Sequence, residues 1–265
     1  MTHFRRWPFN FGGLFLRAFT LGGLSAGILA LGSQAQAASP ETAPEELIES
    51  LAQIEAAAND RDLDAVMSFY DEAFTNEDGF TYDSLETSLA ELWERYDTTT
   101  YRIELQSWEP TADGYIAETL TYIDGEMSAP RTAELESVIR SRQTYEDEQI
   151  ISQEILSERN QLTSGANPPT VTVILPERVA PEETYEFDAI VQEPIGDNYL
   201  LGVALDEGTT AADFFTPRPI DLELLAAGGL FKLGDAPTDT DNLWISGLLI
   251  RDDGLVVVTR RLRVE

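Results

Sequence analysis

The chain has 265 residues, 43% apolar and 25% charged, a composition that excludes wholesale disorder and allows one or two domains with sizeable cores. Acids outnumber bases 48 to 17, a net charge of −31, which excludes nucleic acid as a partner for want of clustered cations. The absence of cysteine excludes disulfides, thiolate metal sites and thiol nucleophiles.

Residues 1–37 read as a secretory signal peptide. Arg5, Arg6 and Arg17 precede an apolar stretch from Ala18 to Gly32, and Ala35-Gln36-Ala37 is a signal-peptidase site. The apolar run is short of the ~20 residues that a spanning helix needs. The Arg5-Arg6 pair also fits a twin-arginine route, although Trp7-Pro8 supports it poorly. An exported protein of the bacterial envelope, periplasmic or extracellular, is therefore expected, with no integral membrane segment after cleavage. Loss of the leader removes three arginines and the one histidine, His3, leaving a charge of −34 and one lysine, Lys232. Without histidine, a Ser-His-Asp triad, a His-Asp dyad and imidazole metal ligation are excluded. The acid surplus is dispersed, as on a solvated, self-repelling surface. Asp235, Asp239, Asp241 and Asn242 lie close together, but their spacing lacks the Gly and terminal Glu of a calcium loop. No metal and no cofactor are expected.

Three helices open the mature chain. Thr42 with Glu45 forms a capping-box pattern before Leu47, Ile48, Leu51 and Ile54, and Asn59-Asp60 ends that helix. Leu63, Val66, Met67 and Tyr70 share a face of a second. The third starts at Asp83, with Glu86 as box partner, and aligns Leu85, Leu89, Leu92, Trp93 and Tyr96. From Thr98 the period becomes two: a strand through Tyr101, Ile103 and Leu105, the Asp113-Gly114 turn, and a second strand from Tyr115 to Ile123 closed by Asp124-Gly125. Strands follow at Arg131–Tyr145 and Gln149–Glu158. This order predicts an α+β domain over 38–162, with helices on one face of an antiparallel sheet.

Thr163-Ser164-Gly165-Ala166-Asn167-Pro168-Pro169 reads as a linker, 163–169. Beyond it, strands are expected at 171–175, 184–191, 199–206, 220–225, 230–233, 243–251 and 255–264, the last two joined by Asp252-Asp253-Gly254. Their number predicts an all-β, immunoglobulin-like sandwich over 170–265.

Between residues 59 and 160 the chain resembles the nuclear transport factor 2-like (SnoaL-like) superfamily. The resemblance is carried by Asn59-Asp60-Arg61-Asp62-Leu63-Asp64-Ala65-Val66-Met67-Ser68-Phe69-Tyr70 and by Asp78-Gly79-Phe80-Thr81-Tyr82. It implies a cone in which helices wrap a curved antiparallel sheet and leave a pocket at the wide end. That family holds ketosteroid isomerases, dehydratases, epoxide hydrolases and polyketide cyclases beside binding and scaffolding members. Its enzymes place an Asp in the pocket, often with His or Tyr, and the mature chain has no His to supply.

Candidate ligand-binding residues are Tyr70, Trp93, Tyr96 and Tyr122, with Tyr101 and Trp108 as further aromatics able to line a cavity. Arg140 and Arg142 share one strand face and could clamp an anion, or pair across strands with Glu118 and Glu154. Glu118, Glu136 and Glu154 are mid-strand carboxylates that would act as bases only if they pointed inward. No catalytic residue is assigned. The reading is an exported, non-catalytic binding or scaffolding protein for a small apolar or anionic ligand, an envelope protein partner or a second copy of itself. A carboxylate-dependent isomerase or hydrolase is the alternative.

Overall fold

A computed structural model describes residues 37–265, apart from 130, 195, 197–198, 212–219 and 253. The expected leader therefore lies outside the described residues save for Ala37, as does Asp253 of the expected Asp252–Gly254 turn. A short 3₁₀ turn, Pro40–Thr42, leads into helix α1, Glu45–Asn59. The Thr42–Glu45 box does not form: Pro44 occupies the cap, and the Thr42 hydroxyl donates to the Ser39 carbonyl and accepts from the Trp108 indole. What holds α1 is its apolar stripe. Leu47, Leu51, Ile54 and Ala58 are buried, each of the larger three worth about 1.5–3 kcal/mol, whereas Ile48 faces outward.

Helix α2, Leu63–Met67, is capped by the Asp62 carboxylate, which accepts from the Ala65 N–H. It stops before Tyr70. That residue opens strand β1, Tyr70–Asn76, which pairs in parallel with a later strand instead of extending the helix. Helix α3, Tyr82–Arg95, starts one residue earlier than expected, in a box made by Thr81 and Ser84.

Four long strands follow: β2, Thr98–Pro110; β3, Gly114–Met127; β4, Ala133–Glu146; and β5, Gln149–Gly165. β3 runs straight through Asp124-Gly125. Gly125 is there for close approach, since a Cβ at that position would sit 3.0 Å from the Tyr96 ring. Asp147 and Glu148 turn β4 into β5 with φ of 47° and 67°, the left-handed pair a two-residue hairpin requires.

The remaining strands are β6, Val171–Ile174; β7, Arg178–Val179; β8, Thr184–Val191; β9, Leu200–Gly208; β10, Glu223–Leu224; β11, Gly229–Asp235; β12, Leu243–Arg251; and β13, Gly254–Val264.

The expected pairing of an α+β cone with a separate β-sandwich domain is overturned. The molecule is mostly β, and one ten-stranded sheet runs through it in the order β10-β9-β12-β13-β5-β4-β3-β2, with β1 beside β5 and β7 beside β13. The first half of the expected linker is strand: Thr163, Ser164 and Gly165 pair with Val256, Leu255 and Gly254, and the antiparallel ladder continues to Arg159 and Arg260. The described residues form one compact unit.

α1 packs over β2 at one end of this sheet, with Leu47, Leu51 and Ile54 against Phe74, Ala117, Tyr145 and Ile150. Near the other end, a three-stranded sheet, β11-β8-β6, packs Tyr185, Phe187 and Leu230 against Ile245, Leu249, Val256, Val258 and Leu262. Val256, Val258 and Leu262 take alternate positions of β13, so Arg261 between them lies on the opposite face. No helix among the described residues is long and apolar enough to cross a membrane.

Candidate functional site

Between the three helices and the strands β1–β5 lies a cavity of about 280 Å³. Its walls are chiefly apolar: Leu51, Ile54, Met67, Leu89, Ile123 and Ile139 supply much of the lining. The period of two explains the sheet side, since Thr119, Thr121 and Ile123 of β3 all point the same way. Several polar groups on the wall are tied to one another or to a buried neighbour. The Thr119 and Ser141 hydroxyls lie 3.2 Å apart, Tyr145 donates to Gln143 Oε1 at 3.2 Å, and Asn76 Nδ2 reaches Gln153 Oε1 at 3.5 Å.

One end of the cavity carries charge. The Asn76–Gly79 turn, in which the Asp78 N–H bonds Asn76 Oδ1 and Gly79 takes a φ of 81°, presents the Asp78 carboxylate. Arg261 from β13 meets it end-on, Nη1 to Oδ1 at 3.0 Å and Nη2 to Oδ2 at 2.6 Å, and Thr209 donates to Oδ1 at 2.6 Å. Glu158 lies 3.6 Å from Arg261 Nη2 and accepts from the Trp244 indole at 2.7 Å. Asp78, Glu158, Trp244 and Arg261 all border the cavity, so the C-terminal strands complete a site begun by the N-terminal helices. Two carboxylates around one guanidinium leave the cluster with one formal negative charge.

Of the residues singled out from sequence, Tyr70 lines the cavity, its ring edge-on to Phe74 at 5.1 Å. Burial pushes its phenol up to about 12. It keeps partial accessibility because it faces the cavity. Tyr101 is also on the wall; burial raises its phenol, and its hydroxyl accepts from the Trp93 indole at 2.8 Å.

Trp93 and Tyr96 are buried outside the lining, Trp93 in the core between α3 and β2, Tyr96 against Gly125 with its carbonyl accepting from Arg61 at 2.8 Å. Trp108 lies beside Ala38, hydrogen-bonded to it through both backbone groups. Tyr122 donates to Glu104 at 3.2 Å beneath the Arg102 guanidinium.

Arg140 and Arg142, with side chains 46% and 47% exposed, do not reach the cavity. They pair across strands with Glu118 and Glu154, and Glu154 also accepts from Arg263 at 2.6 Å. Glu136 is exposed. No mid-strand glutamate proposed as a base points inward. The two acids that do reach the cavity, Asp78 and Glu158, have their oxygens engaged by Arg261, Thr209, Trp244 and Asn160.

Residues 166–265 match the model of a domain of unknown function, DUF8623. No curated protein matches the sequence. Among solved structures, 42% of the chain superposes on 38% of Bd1075 from Bdellovibrio bacteriovorus, at 20% identity and a TM-score of 0.31. The same share superposes on 80% of an LEH-like epoxide hydrolase from M. tuberculosis, at 14% identity and 0.30. It also superposes on 86% of a cystatin-like protein of unknown function from Nostoc punctiforme, at 11% and 0.27. Likenesses at these TM-scores carry no argument about fold or chemistry.

Proposed function

We propose that the protein is an exported binding protein that holds a small, uncharged, largely apolar molecule in the cavity between α1–α3 and β1–β5, without a chemical step on it. The observation that carries this reading is the cavity itself, walled chiefly by apolar side chains. An anionic guest is disfavoured there. Arg261, the cation of the cavity among the described residues, is already matched by Asp78 and Glu158.

The same pairing argues against the carboxylate-base alternative, since both Asp78 oxygens are engaged, by the Arg261 fork and by Thr209. Export rests on the leader-like pattern of residues 1–37.

Native mass spectrometry of the chain from an exporting host is the test, with titration of the neutral dye N-phenyl-1-naphthylamine as its complement. A discrete extra mass released on denaturation, and dye binding that quenches Trp244, are expected. Ile139→Trp fills the cavity and should abolish both with the unfolding midpoint retained. A ligand-free mass together with no dye binding refutes the proposal.

A further inference from the structure

Arg159 of β5 and Arg260 of β13 are direct cross-strand partners on the face opposite Arg261. Like charges placed opposite one another destabilise a sheet, and this chain has 48 acids available for that position. Arg260 is half-buried. Its Nη1 donates to the Asn160 and Thr259 carbonyls at 3.1 and 2.9 Å, which fixes the guanidinium plane. Its other N–H groups have no partner among the described residues, and no carboxylate there lies within ion-pair distance of it.

Arg159 reaches Glu177 at 3.5 Å, both side chains being largely exposed. A cleft of about 220 Å³ opens between the two arginines and β6, lined also by Ser157, Val173, Leu175 and Pro176. Of the acids on its rim, Glu158 is committed to Trp244 and Arg261, and Glu177 is the one that touches Arg159. Burial, and then Arg159, hold the Arg260 guanidinium below the usual arginine range, as expected for a cation short of a counter-charge.

We propose that this cleft is a binding site for a small oxyanion bearing an apolar group, the oxyanion seated between Arg159 and Arg260 and the apolar part against Val173 and Leu175. Two forked cations at a rigid sheet position suit the two or three oxygens of a carboxylate or phosphate monoester. The site stands apart from the cavity and does not depend on what the cavity holds.

Titration of the purified chain with phenyl phosphate, inorganic phosphate and acetate tests it, at ionic strength balanced with sodium chloride and read by calorimetry and unfolding midpoint. Phenyl phosphate should saturate one site and bind more tightly than inorganic phosphate. Arg159→Gln, at an exposed side chain, should weaken it by about tenfold through loss of charge-assisted hydrogen bonds. Arg102→Gln, an exposed arginine elsewhere, should leave it unchanged.

A second readout has the opposite sign. Without oxyanion, Arg159→Gln should raise the midpoint by removing the Arg–Arg repulsion; with saturating phenyl phosphate it should lower it relative to the parent chain. Oxyanions that do no more than chloride, or that act equally on the parent and Arg159→Gln, overturn the proposal.

Discussion

Asp78 and Arg261 are 183 residues apart in the chain and meet as a two-pronged ion pair, their side chains 5% and 2% exposed. The pair ties a turn near the helices to the last strand of the sheet at the polar end of the cavity. Burying it forfeits hydration of both ions, so its net worth is smaller than its geometry suggests. Breaking it is another matter.

Arg261→Met leaves Asp78 and Glu158 facing each other without a cation, and should cost about 3–5 kcal/mol of stability. Asp78→Asn should cost less, because Glu158 still faces Arg261. Urea unfolding of the two variants checks the order. An Arg261→Met midpoint equal to the parent's would show that the pair is not closed in solution.

Tyr70 gives a pH dependence with a definite sign. Its phenol titrates at about 12 in the folded chain against 10.0 ordinarily. Below pH 10 both folded and unfolded chains keep the proton, and the contribution is fully present. Between those values the unfolded chain releases the proton first, so stability falls with rising pH by about 1.4 kcal/mol per unit. Tyr70→Phe should reduce that alkaline slope by one proton and change little at pH 7. Unfolding midpoints from pH 8 to 11.5 measure it; a slope identical in the two chains contradicts the assignment.

Trp93→Phe should separate stability from binding. The indole donates to the buried Tyr101 hydroxyl, and its loss should cost about 1–3 kcal/mol. Trp93 does not line the cavity, so dye affinity should hold. Tyr101→Phe in the same background should cost little more, since no donor is left to strand.

Arg140→Gln with Arg142→Gln should cost about 1–2 kcal/mol, and less in high salt, as both guanidiniums are about half exposed on the outer face while Glu118, 14% exposed, loses its two cations and Glu154 keeps Arg263. Cavity binding should be unaffected. A marked loss of dye affinity would return these arginines to the site.

Local pattern made much of the chain legible. Leu47, Leu51 and Ile54 at helical spacing, and Tyr101 and Ile103 at alternate positions, specify their elements from neighbours a few residues away. β1 escaped notice because Tyr70 fits both the helical stripe of Leu63, Val66 and Met67 and the start of a strand. Its pairing with Ile150 decided the matter.

The join at residue 165 was hidden for a similar reason. Thr163-Ser164-Gly165 carries linker chemistry, yet Gly254 places its backbone against Asn167 and Pro168 where a Cβ would sit 2.0 Å from the Asn167 carbonyl oxygen. Of the polar cluster, one half was within reach. Once the hairpin is set on Asp252–Gly254, Trp244 and Arg261 fall directly opposite each other. Their meeting with Asp78 and Glu158 is a tertiary fact that no short window contains.

β13 comes last of the strands in chain order yet lies inside the sheet, between β12 and β5. The antiparallel ladder from β2 to β5 therefore ends in an open edge until some ninety further residues have been made, and β9 and β12 have no route to that ladder without it. Assembly has the character of a zip whose slider is threaded last. Such distant pairings slow the search for the native state, and they make β5 a template for foreign strands in any chain that stops early. Loss of the final ten or so residues would divide one sheet into two pieces, each with a raw edge, and the expected outcome is aggregation of the product instead of a smaller folded protein.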